Sequence, residues 1–180
     1  ENGVLDSWKG VFEGVLKIII FLGYIALTAL MKDIKRTYMY HGAEHKSIFC
    51  YEKGLPLTVE NVRKQIRFHP RCGTSFLVLV LVVSILVSSL VLKIFPALKT
   101  VTWVWIIVKI LLIPLIMGVG YELIRFCGKH NNLLSKIVAA PGLWVQRLTT
   151  KEPEDDMIEV AIAALNEVIP EDPKDDIWGK

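Results

Sequence analysis

Residues 73–92 read GTSFLVLVLVVSILVSSLVL, twenty positions without one charge. At ~1.5 Å rise per residue, a helix of this length matches a hydrocarbon core of roughly 30 Å. The stretch predicts a membrane-spanning helix, and its flanks are read from it outward. Upstream, an apolar segment runs from Val11 to Met31, with Ile18 to Met31 uncharged. Glu13 and Lys17 precede that part at i, i+4 spacing, where they can pair, and Lys17 can snorkel to the outer surface. This predicts a first span; a long amphipathic helix lying on the membrane is the alternative. Downstream, Thr100 to Tyr121 predicts a third span. Trp103 and Trp105 near its start suit an aromatic belt, and Pro114 lies inside it. Lys109 sits deep in this segment and must snorkel or pair with an acid, Glu13 being the natural candidate.

The whole composition agrees, with 53% hydrophobic residues and a mean hydropathy of +0.46. The expected fold class is all-α, a polytopic membrane protein with about three transmembrane helices plus cytoplasmic and interfacial helices. Residues 1–130 would form the membrane bundle with a cytoplasmic loop at 32–75. Residues 131–180 would supply cytoplasmic interfacial and tail helices. The net charge of +3 says little, but its placement is informative. Lys32, Lys35, Arg36, Lys46, Lys53, Arg63, Lys64, Arg67 and Arg71 lie in the loop, against Lys93 and Lys99 between the second and third spans. Arg125, Lys129, Lys136 and Arg147 follow the third. The positive-inside rule then places the loop and C-terminus in the cytoplasm of a multi-pass bacterial inner-membrane protein. Three cysteines, an odd count without disulfide-scaffold spacing, suit reduced thiols on that side. The chain opens on Glu1, so it reads as processed or as part of something longer, and no signal-peptide pattern is visible.

Within the loop, the first helix is expected to continue through Asp33 to Tyr51 and break at Gly54 and Pro56. Thr58 can cap a short helix, Val59 to Arg67, which His69-Pro70 ends. In the tail, Asn131 to Thr150 predicts an interfacial helix interrupted at Pro141-Gly142. Pro153 to Ile169 predicts a helix with Glu154, Asp155 and Asp156 at its positive end. Ile158, Ala161, Leu165 and Val168 would form its apolar stripe. Pro170 to Lys180 reads as polar and loose.

The chemistry concentrates in the loop. In His41-Gly42-Ala43-Glu44-His45 the two histidines lie one helical turn apart and can converge on one metal ion. Glu44 gives the H-x-x-E-H order of inverted zincins, in which the acid is general base. His69-Pro70-Arg71-Cys72 adds an imidazole and a thiol. His41, His45, His69 and Cys72 would make a closed, structural transition-metal shell; with one of them withdrawn, a water position opens for catalysis. Glu122, at the end of the third span, is either a further ligand or a partner for Arg125 or Arg71. Arg71 could bind a phosphate or lipid head group, helped by Lys46, Arg63, Lys64 and Arg67. Alternatively, all these charges only set topology. No nucleic-acid signature, Gly-rich phosphate loop or serine elbow is present. Cys50 and Cys127 read as packing residues and His130 as a surface residue.

Several stretches match known sequences: Tyr40 to Lys46, Leu57 to Val62, His69 to Phe76, Gly120-Tyr121-Glu122, Ala140 to Leu143 and Leu148 to Pro153. Through them the chain resembles the YqhQ-like family of bacterial membrane proteins over nearly its whole length. The resemblance implies a metal-dependent enzyme of unknown function, a prediction resting on the same His and Glu residues. Family members carry a further N-terminal region with a Gly-Gly-Gln-Ala-Val-type opening, which this sequence lacks.

The expected function is therefore a membrane-embedded metal-dependent hydrolase acting at the cytoplasmic face on a lipid-linked or membrane-proximal substrate. Its cofactor would be a divalent transition metal, zinc foremost, with Glu44 as base and Arg71 orienting an anionic or carbonyl group. Its partners would be the bilayer, anionic head groups, and a second protein or second copy. The rival is a non-enzymatic protein whose His/Cys cluster is structural and whose loop and tail dock a partner. A transporter is the weakest reading, since the spans offer almost no polar lining.

Overall fold

The computed structural model describes residues 2–130 and 132–172, with side chains from residue 12 onward. Those residues are all-helical, as expected. The helices are α1 (Asn2–Thr28), α2 (Lys32–Glu52), α3 (Val59–Arg63), α4 (Gly73–Ile94), α5 (Thr102–Lys129), α6 (Leu133–Thr149) and α7 (Asp155–Asn166), with a 3-10 turn at Pro96–Lys99. The chain forms two compact units, each built from two separate pieces. One holds Glu1–Tyr24 and Pro70–Val145, the other Ile25–His69 and Gln146–Lys180. Asn131 and residues 173–180, including most of the tail end read as loose, lie outside the described residues.

In the first unit α4 and α5 pack together and are each long and apolar enough to cross a membrane. They approach closely because α5 offers a glycine: a Cβ on Gly120 would meet Val80 Cγ2 at 2.9 Å. Such small-residue contacts let membrane helices touch where lipid removes any hydrophobic drive between them. α5 runs past the expected end at Tyr121 as far as Lys129, and Pro114 sits inside it without ending it. Large apolar side chains on α1, α4 and α5 stand bare, Leu111 at 71% exposure among them, which suits contact with lipid.

Beyond the helix ends, two expectations, about α1 and α6, need correction. The first apolar helix does not run on into the loop. α1 stops at Thr28, residues 29–31 turn, and α2 starts afresh at Lys32. Among the described residues, Phe12–Thr28 of α1 with α2 makes a sharply bent pair, which adds a third span if that pair is one broken or re-entrant crossing. The second correction concerns α6, which passes unbroken through Pro141-Gly142. Gly142 is a contact point instead of a break, because a Cβ there would sit 2.5 Å from Ser75 Cβ. Leu133, Leu134, Ile137 and Trp144 on α6 are exposed, in keeping with an interfacial face.

The second unit has its own core of Ala43, Cys50, Val62, Met157 and Ile158, drawn from α2, α3 and α7. Gly54, at φ 65°, lies just beyond the end of α2. Thr58 caps α3 as expected, its hydroxyl oxygen accepting from the Asn61 N–H at 3.3 Å, but α3 ends early, at Arg63 instead of Arg67. α7 is also shorter than expected. It buries Met157 and Ile158, whereas Val168 lies beyond the helix and is 73% exposed. Of the expected stripe, Ile158 and Ala161 pack into this unit's own core.

Candidate metal centre

α2 carries the site because its 3.6-residue period stacks His41, His45, Phe49 and Glu52 along one face. The His41 and His45 rings meet edge to face, with centroids 4.3 Å apart. Each is held by a backbone carbonyl. His41 Nδ1 lies 2.8 Å from the Thr149 carbonyl oxygen, and His45 Nδ1 lies 2.6 Å from that of Arg67. A carbonyl oxygen only accepts, so each Nδ1 carries the proton and donates it. Both Nε2 atoms are thereby left as lone-pair bearers, the form in which an imidazole binds a metal, and the carbonyls are the outer partners that orient such ligands.

The close approach that delivers the Thr149 carbonyl explains the glycine of the motif. Lys151 N–H donates to the Tyr38 carbonyl at 2.8 Å, laying the chain across α2. A Cβ on Gly42 would collide with the Lys151 carbonyl oxygen. Lys46, one residue beyond His45, is 3% exposed. It donates to the Arg63 carbonyl at 3.0 Å and pairs with Glu152, which also takes Arg67 at 3.1 Å. A buried ammonium is tolerable only with such partners. Arg63 pairs with Asp155, and Lys64 with Glu60 at 2.7 Å. The four cations expected to attract anionic lipid thus spend their charge on carboxylates of their own chain.

His69 lies beside this pair, 5.8 Å from His45 by ring centroids, but its Nε2 is turned to Glu52 at 3.4 Å. Gln146, fully buried, clamps its backbone from both sides. The His69 N–H donates to the Gln146 side-chain oxygen at 2.8 Å, and the Gln146 amide donates to the His69 carbonyl at 2.6 Å. Glu44 is exposed. Glu122 is exposed too and has Arg125 at 3.7 Å, one of the roles expected of it. Arg71 packs its side chain over Gly128 of α5. Cys72 is buried and caps α4, its sulfur accepting from the Thr74 N–H at 3.4 Å.

Within the second unit, His41 and His45 are the candidate metal-ligating pair. The imidazole pair lies within one unit; Cys72 follows His69 by three residues along the chain. None of the three cysteines forms a disulfide, and burial pushes the Cys50 thiol above its ordinary pKa, as expected of a packing residue. Sequence reasoning missed Glu52, Gln146 and the Thr149 carbonyl. Glu52 had a signal, since it stands seven residues after His45, two turns along the same face. A buried glutamine and a main-chain oxygen leave none.

Residues 3–171 match a family described as "Protein of unknown function (DUF1385)". The chain is similar to "Uncharacterized protein YqhQ" of Bacillus subtilis (strain 168), at 43% identity over 166 residues. That match covers 92% of this chain and 50% of the relative, so the chain spans about half the relative's length. No solved structure matches.

Proposed function

We propose that this chain, which belongs to the DUF1385 family of proteins of unknown function, is a membrane-embedded, metal-dependent hydrolase working at the cytoplasmic face. Its substrate would be lipid-linked or close to the bilayer. The observation that carries the reading is the pair of carbonyl-held imidazoles, His41 and His45, whose Nε2 atoms are both prepared to act as ligands. Cys72, the thiol singled out in the sequence, would complete a donor set of nitrogen and sulfur, which suits zinc. Three protein ligands leave a fourth position open, the arrangement of catalytic zinc sites. A metal held there would supply Lewis acidity for hydrolysis.

The protein residues do the rest. Glu44, exposed and next to His45, would serve as the general base. Arg71 orients an anionic or carbonyl group of the substrate. His69, paired with Glu52, supports the imidazoles from behind, and Glu122 is the carboxylate available as a further ligand. The loop-in, C-terminus-in topology rests on the placement of Lys and Arg.

Cobalt substitution of the purified protein tests the reading. One cobalt per chain is expected, with a thiolate charge-transfer band that Cys72→Ser abolishes and a stoichiometry that His45→Ala abolishes. Glu44→Gln should keep the metal and lose turnover of a membrane-proximal ester or phosphodiester. No bound metal in the wild type would sink the proposal. A shell of four protein ligands, with His69→Ala also releasing metal, would favour the structural reading instead.

A further inference from the structure

The first unit contains a cavity of about 410 Å³ walled by α1, α4 and α5. α1 touches α4 near Gly14, where a Cβ would meet Ile85 at 3.2 Å, and the cavity opens beside that contact. Most of its lining is apolar, but Glu13, Lys17 and Lys109 also face it, with Ser84, Ser88 and Ser89. Lys109 stands seven residues after the first residue of α5, roughly 10 Å along the helix by its rise. That depth is within the hydrocarbon for a spanning helix, where an ionisable group needs a partner.

The expected partner is not engaged. Among the described residues no ion pair joins Glu13 to Lys17 or to Lys109. Lys109 instead sets its ammonium over the Trp105 ring, 5.1 Å from the centroid. A ring face is a weak substitute for an anion. The contrast with the second unit is informative, because Lys46, Arg63, Lys64 and Arg67 are all satisfied by carboxylates. Two ammoniums against one carboxylate leave the cavity a net single positive charge, with the hydroxyls of Ser84, Ser88 and Ser89 beside it and apolar walls around it.

We propose that this cavity binds the head group of an anionic phospholipid, with Lys17 and Lys109 meeting its negative charge and its acyl chains lying along the bare apolar faces of α1 and α5. A net anionic head group fits the charge, and an amphiphile fits the lining. A zwitterionic lipid brings its own cation and gains little from the two lysines.

Trp105 reports on the site. The full chain, with Trp8, Trp103, Trp144 and Trp178 replaced by Phe, is reconstituted in phosphatidylcholine vesicles containing brominated phosphatidylglycerol or brominated phosphatidylcholine. Stronger quenching by the glycerol lipid is expected, falling to the choline level in Lys17→Gln with Lys109→Gln and retained in Lys109→Arg. Glu13→Gln should strengthen the preference. Native mass spectrometry of the unaltered protein should show the same order of retained lipids. Equal quenching by both lipids overturns the proposal. So does a preference that survives removal of both lysines, or the absence of quenching by either lipid because a second copy or another segment fills the cavity.

Discussion

At the scale of single residues the site depends on contacts that are not themselves ligands. Gly42 is the clearest case, because the Lys151 carbonyl occupies the space a Cβ would need. Its neighbour there is main chain, which cannot rotate away. Gly42→Ala is expected to destabilise the protein by about 1–3 kcal/mol, the usual cost of overpacking, with thermal unfolding as the check. Gln146→Ala would leave the His69 N–H and carbonyl unsatisfied in a buried place, at about 1–3 kcal/mol each. It should also loosen cobalt binding, whereas Glu159→Gln, at an exposed position of α7, should do neither. Cys50, buried with a raised pKa, should resist iodoacetamide at neutral pH in the folded protein and react once denaturant opens the core. The histidine pair was legible because i, i+4 spacing on a helix fixes a shared face. Its orientation was not, since every residue carries a carbonyl and only folding decides which two lie within reach of Nδ1.

Among the elements, helix existence was legible and helix ends were not. α4 followed from an uncharged run that only lipid suits. α6 was misjudged at Pro141-Gly142 because the pair punctuates a soluble helix, whereas here the glycine lets α6 meet Ser75. Gly142→Val should separate these elements and lower the unfolding temperature, while Gly23→Ala, with nothing within 4 Å of its added Cβ, should not. The docking of α7 has a pH signature. Arg63 holds the Asp155 carboxyl below its ordinary value of 3.8. The stabilisation is therefore complete above that value and is lost as pH falls through the depressed one. Both groups are largely exposed, so the effect is small and screened by salt. Asp155→Asn should remove that part of the acid sensitivity, seen by comparing unfolding temperatures at neutral and acid pH.

For the whole molecule, the lipid-facing character was legible from composition, and the number of crossings was not. α4 and α5 qualify by length and composition, but the break after Thr28 leaves α1 undecided between a crossing and a re-entrant arm. Single cysteines at Lys99 and Lys64, in a chain freed of its own three, should be labelled by an impermeant maleimide from opposite sides of oriented vesicles. A third at Phe12 should react from the side of Lys99 if α1 crosses. Labelling of Lys99 and Lys64 from one side would contradict the topology.

His41 and the carbonyl that fixes its tautomer are 108 residues apart. During synthesis the whole of α2 is made, and α4 and α5 follow, long before Thr149 leaves the ribosome. Until then the His41 proton has no assigned nitrogen, and Gly42 has nothing lying across it. The imidazole pair is thus set only after Thr149 has been made, so a chain interrupted before it would carry every histidine of the motif without the carbonyl that orients the first of them.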